Sequence, residues 1–257
     1  SDYYDQAKKL KNKIKGAVKT IEEAKEKLQN VMPPEIKTPD IAKKQRAPPR
    51  WYEKFHWFHT SNGNLAIGGR DATSNEIVVK KHAEKDDIVF HTQLPGSPFF
   101  ILKNRKITPS TSKSHVLASE RSEQEIQEVA IATASYSRAW KTGVSVADVY
   151  WIKPEQVSKQ APSGEYVPKG GFMIYGKKNY IKNAPLKLAI GLNAEEKIEG
   201  GAPSAIQKSC EKNVKIKPGY TKPSDIAKQI IKKLGLDNSY LDEVMKALPA
   251  GKSDISK

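Results

Sequence analysis

Five prolines between residues 33 and 50 divide this chain of 257 residues into two parts. Proline lacks a backbone N–H and restricts the preceding residue to extended conformations, so neither a helix nor a central strand can continue through this segment. We therefore interpret residues 33–50 as an extended linker. It separates a predicted helix over residues 1–32 from a predicted globular domain that begins at Trp51.

Before the linker, apolar side chains recur with alternating gaps of three and four residues, which predicts one amphipathic helix with a heptad pattern. The stripe has few large side chains, so a lone helix would be marginally stable in water. We expect it to pair with a helix upstream of this segment, with another copy of the chain, or with another face of this chain. Ordinary packing against a core is an equal alternative. The apolar positions are Ala7, Leu10, Ile14, Ala17, Ile21, Ala24, Leu28 and Val31.

Residues 51–108 are rich in aromatic and β-branched side chains, which favour strands. Turn signals separate the short apolar runs, and Asn62-Gly63 predicts a hairpin turn because both residues tolerate positive φ angles. The predicted strands are WYEKFHWFHT, LAIGG, EIVVKKH, DIVFHTQ and FFILKN.

Two further details of this region concern a predicted strand end and the two faces of another predicted strand. Gly68-Gly69 predicts a close approach of the backbone to a neighbouring group, with Arg70 and Asp71 at the end of a strand. Alternation within DIVFHTQ places Val89 and His91 on one face of a strand, and the remaining apolar and β-branched residues on the other.

The hydrophobic period changes in the middle of the chain and then returns to that of strands. The run SERSEQEIQEVAIATASYSRAW predicts a helix with N-cap candidates at residues 110–112 and an end at Gly143. The runs ADVYWIK, GFMIYG and KLAIGL predict three further strands, with KLAIGL the last. The order strands, helix, strands predicts an α+β domain over residues 51–192, with a largely antiparallel sheet packed by helices.

Residues 193–257 are interpreted as a charged C-terminal tail with short helices. Two helices are predicted on either side of Gly235, the first capped by Ser224. The apolar stripe of the first helix consists of Ile226, Ile230, Ile231 and Leu234.

The chain is strongly basic, with 44 Lys and Arg against 29 Asp and Glu and a formal net charge of +15. Such a charge favours polyanionic partners, and nucleic acid is the leading class, although charge alone can also reflect habitat. No apolar run is long enough to span a membrane, and no secretory leader opens the sequence. The single cysteine, Cys210, fits a reducing compartment and a cytoplasmic location.

The sequence predicts no catalytic residues, no cofactor and no metal site. His91 lies next to a glycine turn, but no GxSxG elbow surrounds Ser97, and Cys210 has no histidine nearby. No P-loop or metal-binding pattern occurs. An enzyme that uses His91 as an acid or base is therefore the weakest of three functional hypotheses.

Cations beside flat side chains occur at the ends of several predicted strands, as in FMIYGKKNYIK at residues 172–182. Such patches suit phosphate contact together with base stacking, although one cationic strand end is more often a solvated turn. Only convergence of several patches would distinguish the two readings. The candidate RNA-binding residues are Trp51, Arg70, Lys80, Lys81, His91, Lys103, Arg105, Lys169, Lys177, Lys178 and Asn179.

An ordered series of motifs over roughly residues 48–192 resembles the NFACT-R domain. This domain is the RNA-binding module of the NEMF-type ribosome quality-control factors, whose bacterial relatives were first labelled fibronectin-binding proteins. The preceding heptad helix is similar to the returning half of the family's coiled-coil arm, as expected for a carboxy-terminal piece of an archaeal-type member. The motifs are RWYEKFHWFHTSNGNLAIGGRDATSNE, DIVFHTQLPGSP, ASYSRAWKTG, VYWIKPEQVSKQAPSGEY and GGFMIYGKKNYI.

The resemblance implies a function without catalysis by this chain. Members of the family bind the large ribosomal subunit that carries a stranded peptidyl-tRNA, recruit charged tRNA and support untemplated carboxy-terminal tailing. The implied partners are ribosomal RNA, tRNA and peptidyl-tRNA, and the ribosome itself forms the peptide bonds. The alternative hypothesis is a coiled-coil protein-interaction scaffold without specific RNA binding.

Overall fold

The computed structural model contains two compact units, Ser1–Arg46 and Ala47–Lys257. In the first unit the described residues between 10 and 25 are helical, as predicted, and Leu10, Ile14 and Ile21 are exposed. The predicted linker lies mostly outside the described residues. The structure describes residues 10–11, 13–23, 25, 48–104, 122–160 and 166–256.

The second unit combines helices with antiparallel sheets, which confirms the predicted α+β class. Its strands are β1 His56–His59, β2 Leu65–Gly68, β3 Ile88–Thr92, β4 Phe100–Leu102, β5 Val146–Ile152, β6 Val157–Ser158, β7 Met173–Ile174, β8 Asn179–Pro185, β9 Leu188–Leu192, β10 Ile198–Gly201, β11 Lys212–Thr221 and β12 Ser253–Ile255. Its α-helices are α1 Ala72–His82, α2 Glu123–Ser135, α3 Ala139–Thr142, α4 Pro203–Ser209, α5 Pro223–Leu234 and α6 Leu241–Ala247. Nowhere in the described part of the chain is a helix long and apolar enough to cross a membrane.

The main sheet has six antiparallel strands in the order β1-β2-β4-β3-β5-β8. Its first hairpin turns at Asn62-Gly63, where Gly63 has a φ of 79°, so the predicted turn is confirmed. The sheet is covered on both faces, and the alternation predicted for β3 is also confirmed. Ile88 and Phe90 join the core under α2, whereas Val89 joins the core under α1.

A second sheet, in the order β10-β9-β11-β12, extends the core beyond α2. The prediction that KLAIGL is the last strand is wrong, because three strands follow it. The helix α5 packs on this sheet, and its predicted stripe of isoleucine and leucine residues is buried. Gly235 ends this helix with a φ of 70°, as predicted, but the helix begins after Lys222 with Pro223, so the Ser224 cap is wrong.

The largest correction concerns EIVVKKH, which is helical in α1 and not a strand. Asp71 caps the helix: its carboxylate accepts a hydrogen bond from the Ser74 N–H at 2.7 Å, and the Ser74 hydroxyl accepts one from the Asp71 N–H at 2.8 Å. This reciprocal capping satisfies backbone donors that a helix end leaves free. It outweighs the strand preference of the β-branched run Ile77–Val79.

Other predicted boundaries also change. The long helix predicted over residues 119–140 is divided, because α2 ends at Ser135 and the short α3 ends at Gly143 in the left-handed conformation. Ser122 caps α2, while the cap candidates at residues 110–112 lie outside the described residues. The run WYEKF forms turns before β1. The strand predicted at GFMIYG is only two residues long, and it is half-buried.

Buried carboxylates fix the first hairpin to helix α2. Glu125 accepts hydrogen bonds from the Thr60 hydroxyl at 2.6 Å and from the Asn64 amide at 2.7 Å. Glu128 accepts from the Ser61 N–H at 2.8 Å. Because a buried carboxylate is stable only when it is paired, these contacts hold the hairpin in one orientation over the helix.

We predict that the packing of α4 is essential to the stability of the second unit. Ile206 is fully buried, and its helix contacts β1, β9 and β10. Ile206→Ala should lower the free energy of unfolding by about 2–5 kcal/mol, and Ile206→Val by about 0.5–1.5 kcal/mol. Urea unfolding followed by circular dichroism measures both, with the exposed Gln207→Ala as control. A loss below about 1 kcal/mol for Ile206→Ala would contradict this packing.

Candidate nucleic-acid interface

One cleft of about 410 Å³ lies between the start of α1, the turn after β3 and the turn before β7. It brings together three of the predicted RNA-binding residues, Arg70, His91 and Lys169, which are far apart in the sequence. The other residues that line it are Gly69, Asp71, Ala72, Asn75, Pro95, Gly96, Ser97, Pro98, Phe99, Tyr136, Tyr150, Pro168, Gly170, Gly171 and Phe172.

The predicted close approach at Gly68-Gly69 positions Arg70 at this cleft. A Cβ atom on Gly68 would lie 2.3 Å from the Phe100 ring, and one on Gly69 would lie 2.0 Å from the Asn75 amide oxygen. Only glycine fits both positions, so the chain passes close to the sheet before α1 begins. Arg70 is exposed at the start of that helix.

The turn that carries Lys169 is fixed against the same helix. Gly170 has a φ of 80°, and an added Cβ would lie 2.5 Å from the Ala72 Cα. The Glu76 carboxylate pairs with Lys159 at 2.7 Å and accepts a hydrogen bond from the Gly170 N–H at 3.2 Å. These two donors lower the pKa of Glu76 to about 2, with the Lys159 contribution the larger. Lys169 itself is exposed at the cleft.

An aromatic row crosses the sheet beside the cleft. Antiparallel registers place His91 opposite Tyr150 and Tyr150 opposite Tyr180. The His91 ring stacks on Phe99 with 4.2 Å between ring centroids, and the Tyr150 and Tyr180 rings meet at 5.9 Å. Phe99 and Tyr150 are buried, whereas Tyr180 is 47% exposed, so one end of the row is open to solvent.

The GKKN segment comprises the end of the turn between β7 and β8 and the first residue of β8, next to this row. Gly176 has a φ of 78°, and the Gln156 amide fixes the turn by donating to the Lys177 carbonyl at 2.9 Å. The Lys178 ammonium lies 4.6 Å from the centroid of the Tyr150 ring, within cation–π range. The Asn179 amide donates to the Trp151 carbonyl at 3.4 Å. Lys178 therefore extends the cation-lined surface of the cleft, and the adjacent Lys177 is exposed in the same turn.

The charged side chains of the segment that contains Lys169 and the GKKN turn are all positive. Residues 166–192 contain five lysines and no aspartate or glutamate. We define the basic cleft as the cleft described above together with Lys177 and Lys178. Its positive charge and open aromatic end match the requirements for holding phosphates and bases together.

The remaining predicted residues lie elsewhere. Trp51, Lys80 and Lys81 lie at the opposite end of α1, about 16 Å away along an eleven-residue helix. Trp51 stacks on His82 with 4.3 Å between ring centroids, and Lys81 is exposed. These residues form a second, smaller cation-aromatic cluster outside the basic cleft.

Of the last two residues in the predicted set, Lys103 joins neither cluster. The Lys103 side chain is 16% exposed and pairs with Asp87 at 2.6 Å. Its ammonium also donates to the His82 carbonyl at 2.8 Å at the end of α1, which gives it a structural role. Arg105 lies outside the described residues.

The sequence reasoning missed Asn75, Tyr150 and Tyr180 as members of the site. Asn75 was missed because it directly precedes EIVVKKH, which was wrongly predicted as a strand, so its place on a helix beside the cleft was not expected. The two tyrosines were quoted in motifs, but only the strand register shows that they are neighbours. Among the described residues, no group of three or more His, Cys, Asp or Glu side chains is arranged to hold a metal ion.

The chain carries an NFACT-R domain. Residues 54–176 match the family described as the NFACT protein RNA binding domain, which confirms the resemblance seen in the sequence. The relatives that the chain matches are named as ribosome quality control proteins or their homologs.

Three relatives show how much of the longer proteins this chain represents. It is 40% identical over 223 residues to the archaeal Rqc2 homolog aRqcH of Methanocaldococcus jannaschii, covering 84% of this chain and 31% of the relative. It is 35% identical over 198 residues to the ribosome quality control complex subunit NEMF homolog of Drosophila melanogaster, covering 74% and 18%. It is 34% identical over 201 residues to the ribosome quality control complex subunit NEMF of Homo sapiens, and this match covers 77% of this chain and 17% of the relative. The chain therefore spans less than a third of these relatives.

A solved structure is also similar to the chain. It is the C-terminal part of the fibronectin/fibrinogen-binding protein from Streptococcus suis, with 17% identity and a TM-score of 0.38, and the match covers 55% of this chain and 49% of that chain. A TM-score this low supports no statement about a shared fold.

His91 contributes a neutral ring to the cleft at neutral pH. Its pKa is lowered from 6.5 to about 4, mainly by burial, which outweighs the opposing backbone hydrogen bonds of Thr92 and Ser97, and the charge of Lys178 is a smaller cause in the same direction as burial. Burial likewise lowers the pKa of His56 to about 3. The positive charge of the cleft therefore comes from arginine and lysine.

We predict that the free energy of unfolding falls as the pH is lowered from about 6.5 towards 4. In this range the unfolded chain binds protons at His91 and His56 that the folded chain does not bind. One such histidine contributes at most about 1.4 kcal/mol per pH unit. His91→Phe keeps the ring stack but should reduce this pH dependence, as measured by urea unfolding at several pH values. An unchanged pH dependence would contradict the burial of a neutral His91.

Proposed function

We propose that the second unit docks through the basic cleft on ribosomal RNA of the large subunit, or on tRNA held there. The observation that carries this proposal is the convergence of Arg70, Lys169 and Lys178 beside one aromatic row. Cations from two distant parts of the sequence, Arg70 in one and Lys169 and Lys178 in the other, lie in or beside one concave surface. A solvated turn requires no such convergence.

The proposal extends to the role of the longer protein. We propose that the chain is part of a cytoplasmic quality-control factor that binds large ribosomal subunits with stalled peptidyl-tRNA and supports untemplated tailing. The support is the match to the NFACT RNA-binding domain and the names of the relatives. In this role the domain supplies RNA affinity and orientation.

We also propose that this chain has no catalytic activity of its own. His91 is stacked on Phe99, and the only side-chain polar contact described for its ring is the Tyr150 hydroxyl, at 3.4 Å from Nδ1. A general base needs a short, oriented hydrogen-bond network and a pKa near the working pH. The lowered pKa of His91 favours a packing and stacking role. A His91→Ala protein that retains tailing activity would support this view.

A second candidate function is protein recruitment by the N-terminal helix, which is suggested by the exposed Leu10, Ile14 and Ile21. Under this scaffold hypothesis, deletion of residues 1–32 abolishes capture of a protein partner and leaves RNA affinity unchanged. If capture survives the deletion, the helix is not the recruiting element.

Reversal of charge at the GKKN turn tests the proposed RNA contact. Lys177→Glu combined with Lys178→Glu should weaken binding to ribosomal RNA fragments and tRNA by about tenfold or more at low salt. The slope of log affinity against log salt should fall by about one unit for each phosphate contact that is lost. Fluorescence anisotropy across a salt series measures both quantities.

The matched control changes the same number of charges far from the cleft. Lys228 and Lys232 are exposed on α5, which packs on the second sheet. Lys228→Glu combined with Lys232→Glu should leave the salt slope nearly unchanged. Equal losses in the two double variants would mean that overall charge, and not the basic cleft, binds RNA.

A further inference from the structure

Asn75 has unused hydrogen-bond donors at the basic cleft. Its side chain is only 9% exposed, and its amide oxygen accepts a hydrogen bond from the Phe99 N–H at 3.1 Å. This bond fixes the orientation of the amide, because only the oxygen can accept it. No hydrogen bond from the Nδ2 group is found among the described residues. The Nδ2 group is not one of the fully buried unpartnered atoms of the described residues, so it is reachable from the cleft and can donate to an acceptor on a ligand.

A flat aromatic surface lies at the same cleft. The neutral His91 ring stacks on Phe99, and the Phe172 ring meets Phe99 edge-on at 5.2 Å. All three residues line the cleft. Aromatic and imidazole rings are the side chains on which unstacked nucleobases pack in RNA-binding proteins.

Two cations stand beside this surface. Arg70 and Lys169 line the cleft, are exposed, and have no ion pair among the described residues. The one acidic residue that lines the cleft, Asp71, is occupied by the N–H and the hydroxyl of Ser74. The cleft therefore combines a stacking surface, a neutral donor pair and a positive rim.

We propose that the cleft holds a single unpaired nucleotide of RNA, with its base against His91 and Asn75 and its phosphate near Arg70 and Lys169. This inference rests on the proposed RNA-binding function and specifies which part of an RNA enters the site. A volume of about 410 Å³ lies within the range of small-ligand sites. A base within a duplex is stacked on both faces and cannot enter, so duplex RNA contacts only the rim.

The amide orientation also restricts which base enters. An asparagine that recognises adenine uses its oxygen and its nitrogen together. In Asn75 the oxygen is already bound to Phe99, so only the two N–H donors remain. Such a donor pair favours a base with a carbonyl oxygen on its edge, and uracil is the simplest example. Single-stranded oligouridine is therefore the appropriate probe.

The first experiment uses Asn75→Asp, which keeps the acceptor for Phe99 but removes the donors. Binding of an oligouridine strand and of an RNA duplex with the same number of phosphates is measured by anisotropy at one salt concentration. The variant should lose about tenfold in affinity for the single strand and less than about threefold for the duplex.

A control separates the lost donors from the added charge. Thr73 is exposed on the first turn of α1 and does not line the cleft. Thr73→Asp adds the same charge and should lower the affinity for both RNAs equally, by less than about threefold. Equal losses for the two RNAs in Asn75→Asp would overturn the nucleotide site.

A measurement on the unmodified protein covers the case in which Asn75→Asp does not fold. The side-chain NMR signals of His91 should shift when oligouridine is added and should not shift when the duplex is added. The signals of His59, which pairs with Glu199, are the control and should not shift with either RNA. Unmoved His91 signals under conditions in which oligouridine binds would overturn the site but leave the proposed function intact. Failure of both RNAs to bind would overturn the proposed function as well.

Discussion

The capping of α1 by Asp71 determines where the basic cleft lies. Gly68 and Gly69 allow the chain to pass the Phe100 ring and the Asn75 amide, and the Asp71 and Ser74 side chains then start the helix immediately. The turn with Gly170 packs on the first residue of that helix. The cap therefore sets where the helix begins, and with it the surface that Arg70, Asn75 and Lys169 share.

The register of the main sheet provides the second half of the site. Antiparallel pairing of β3, β5 and β8 aligns His91, Tyr150 and Tyr180, although they are separated by tens of residues in the chain. The turn before β8 then places Lys178 over the Tyr150 ring. A strand slip by one residue would move each of these side chains to the opposite face. The aromatic row therefore depends on the correct strand register as much as the hydrophobic core does.

The sequence predicted those features that local patterns encode. Alternation predicted the two faces of β3, and Asn62-Gly63 predicted the first hairpin. The run Ile77–Val79 misled the assignment of α1, because three consecutive β-branched or apolar residues obscured the helical period and the cap has no acidic residue at its third position. Strand β8 was missed because its lysine, asparagine and proline residues are unusual in strands.

The site was only partly predictable for a related reason. The cations at strand ends were identified from composition, but their convergence depends on register and on a turn-to-helix contact that no local pattern contains. Lys103 was predicted to contact RNA, but the structure places it in a structural ion pair. It has the same sequence context as the cations of the cleft, yet it lies beside the buried Asp87 carboxylate and stabilises the end of α1.

A photo-crosslinking map tests the central claim most directly. RNA that contains 4-thiouridine would be crosslinked to the protein, and the attached peptides identified by mass spectrometry. The account predicts crosslinks in residues 69–75, 91–99 and 166–182, which form the basic cleft and its adjoining turn. Crosslinks confined to α4 and α5 would contradict it, because those helices pack on the second sheet and contribute no residue to the lining of the cleft.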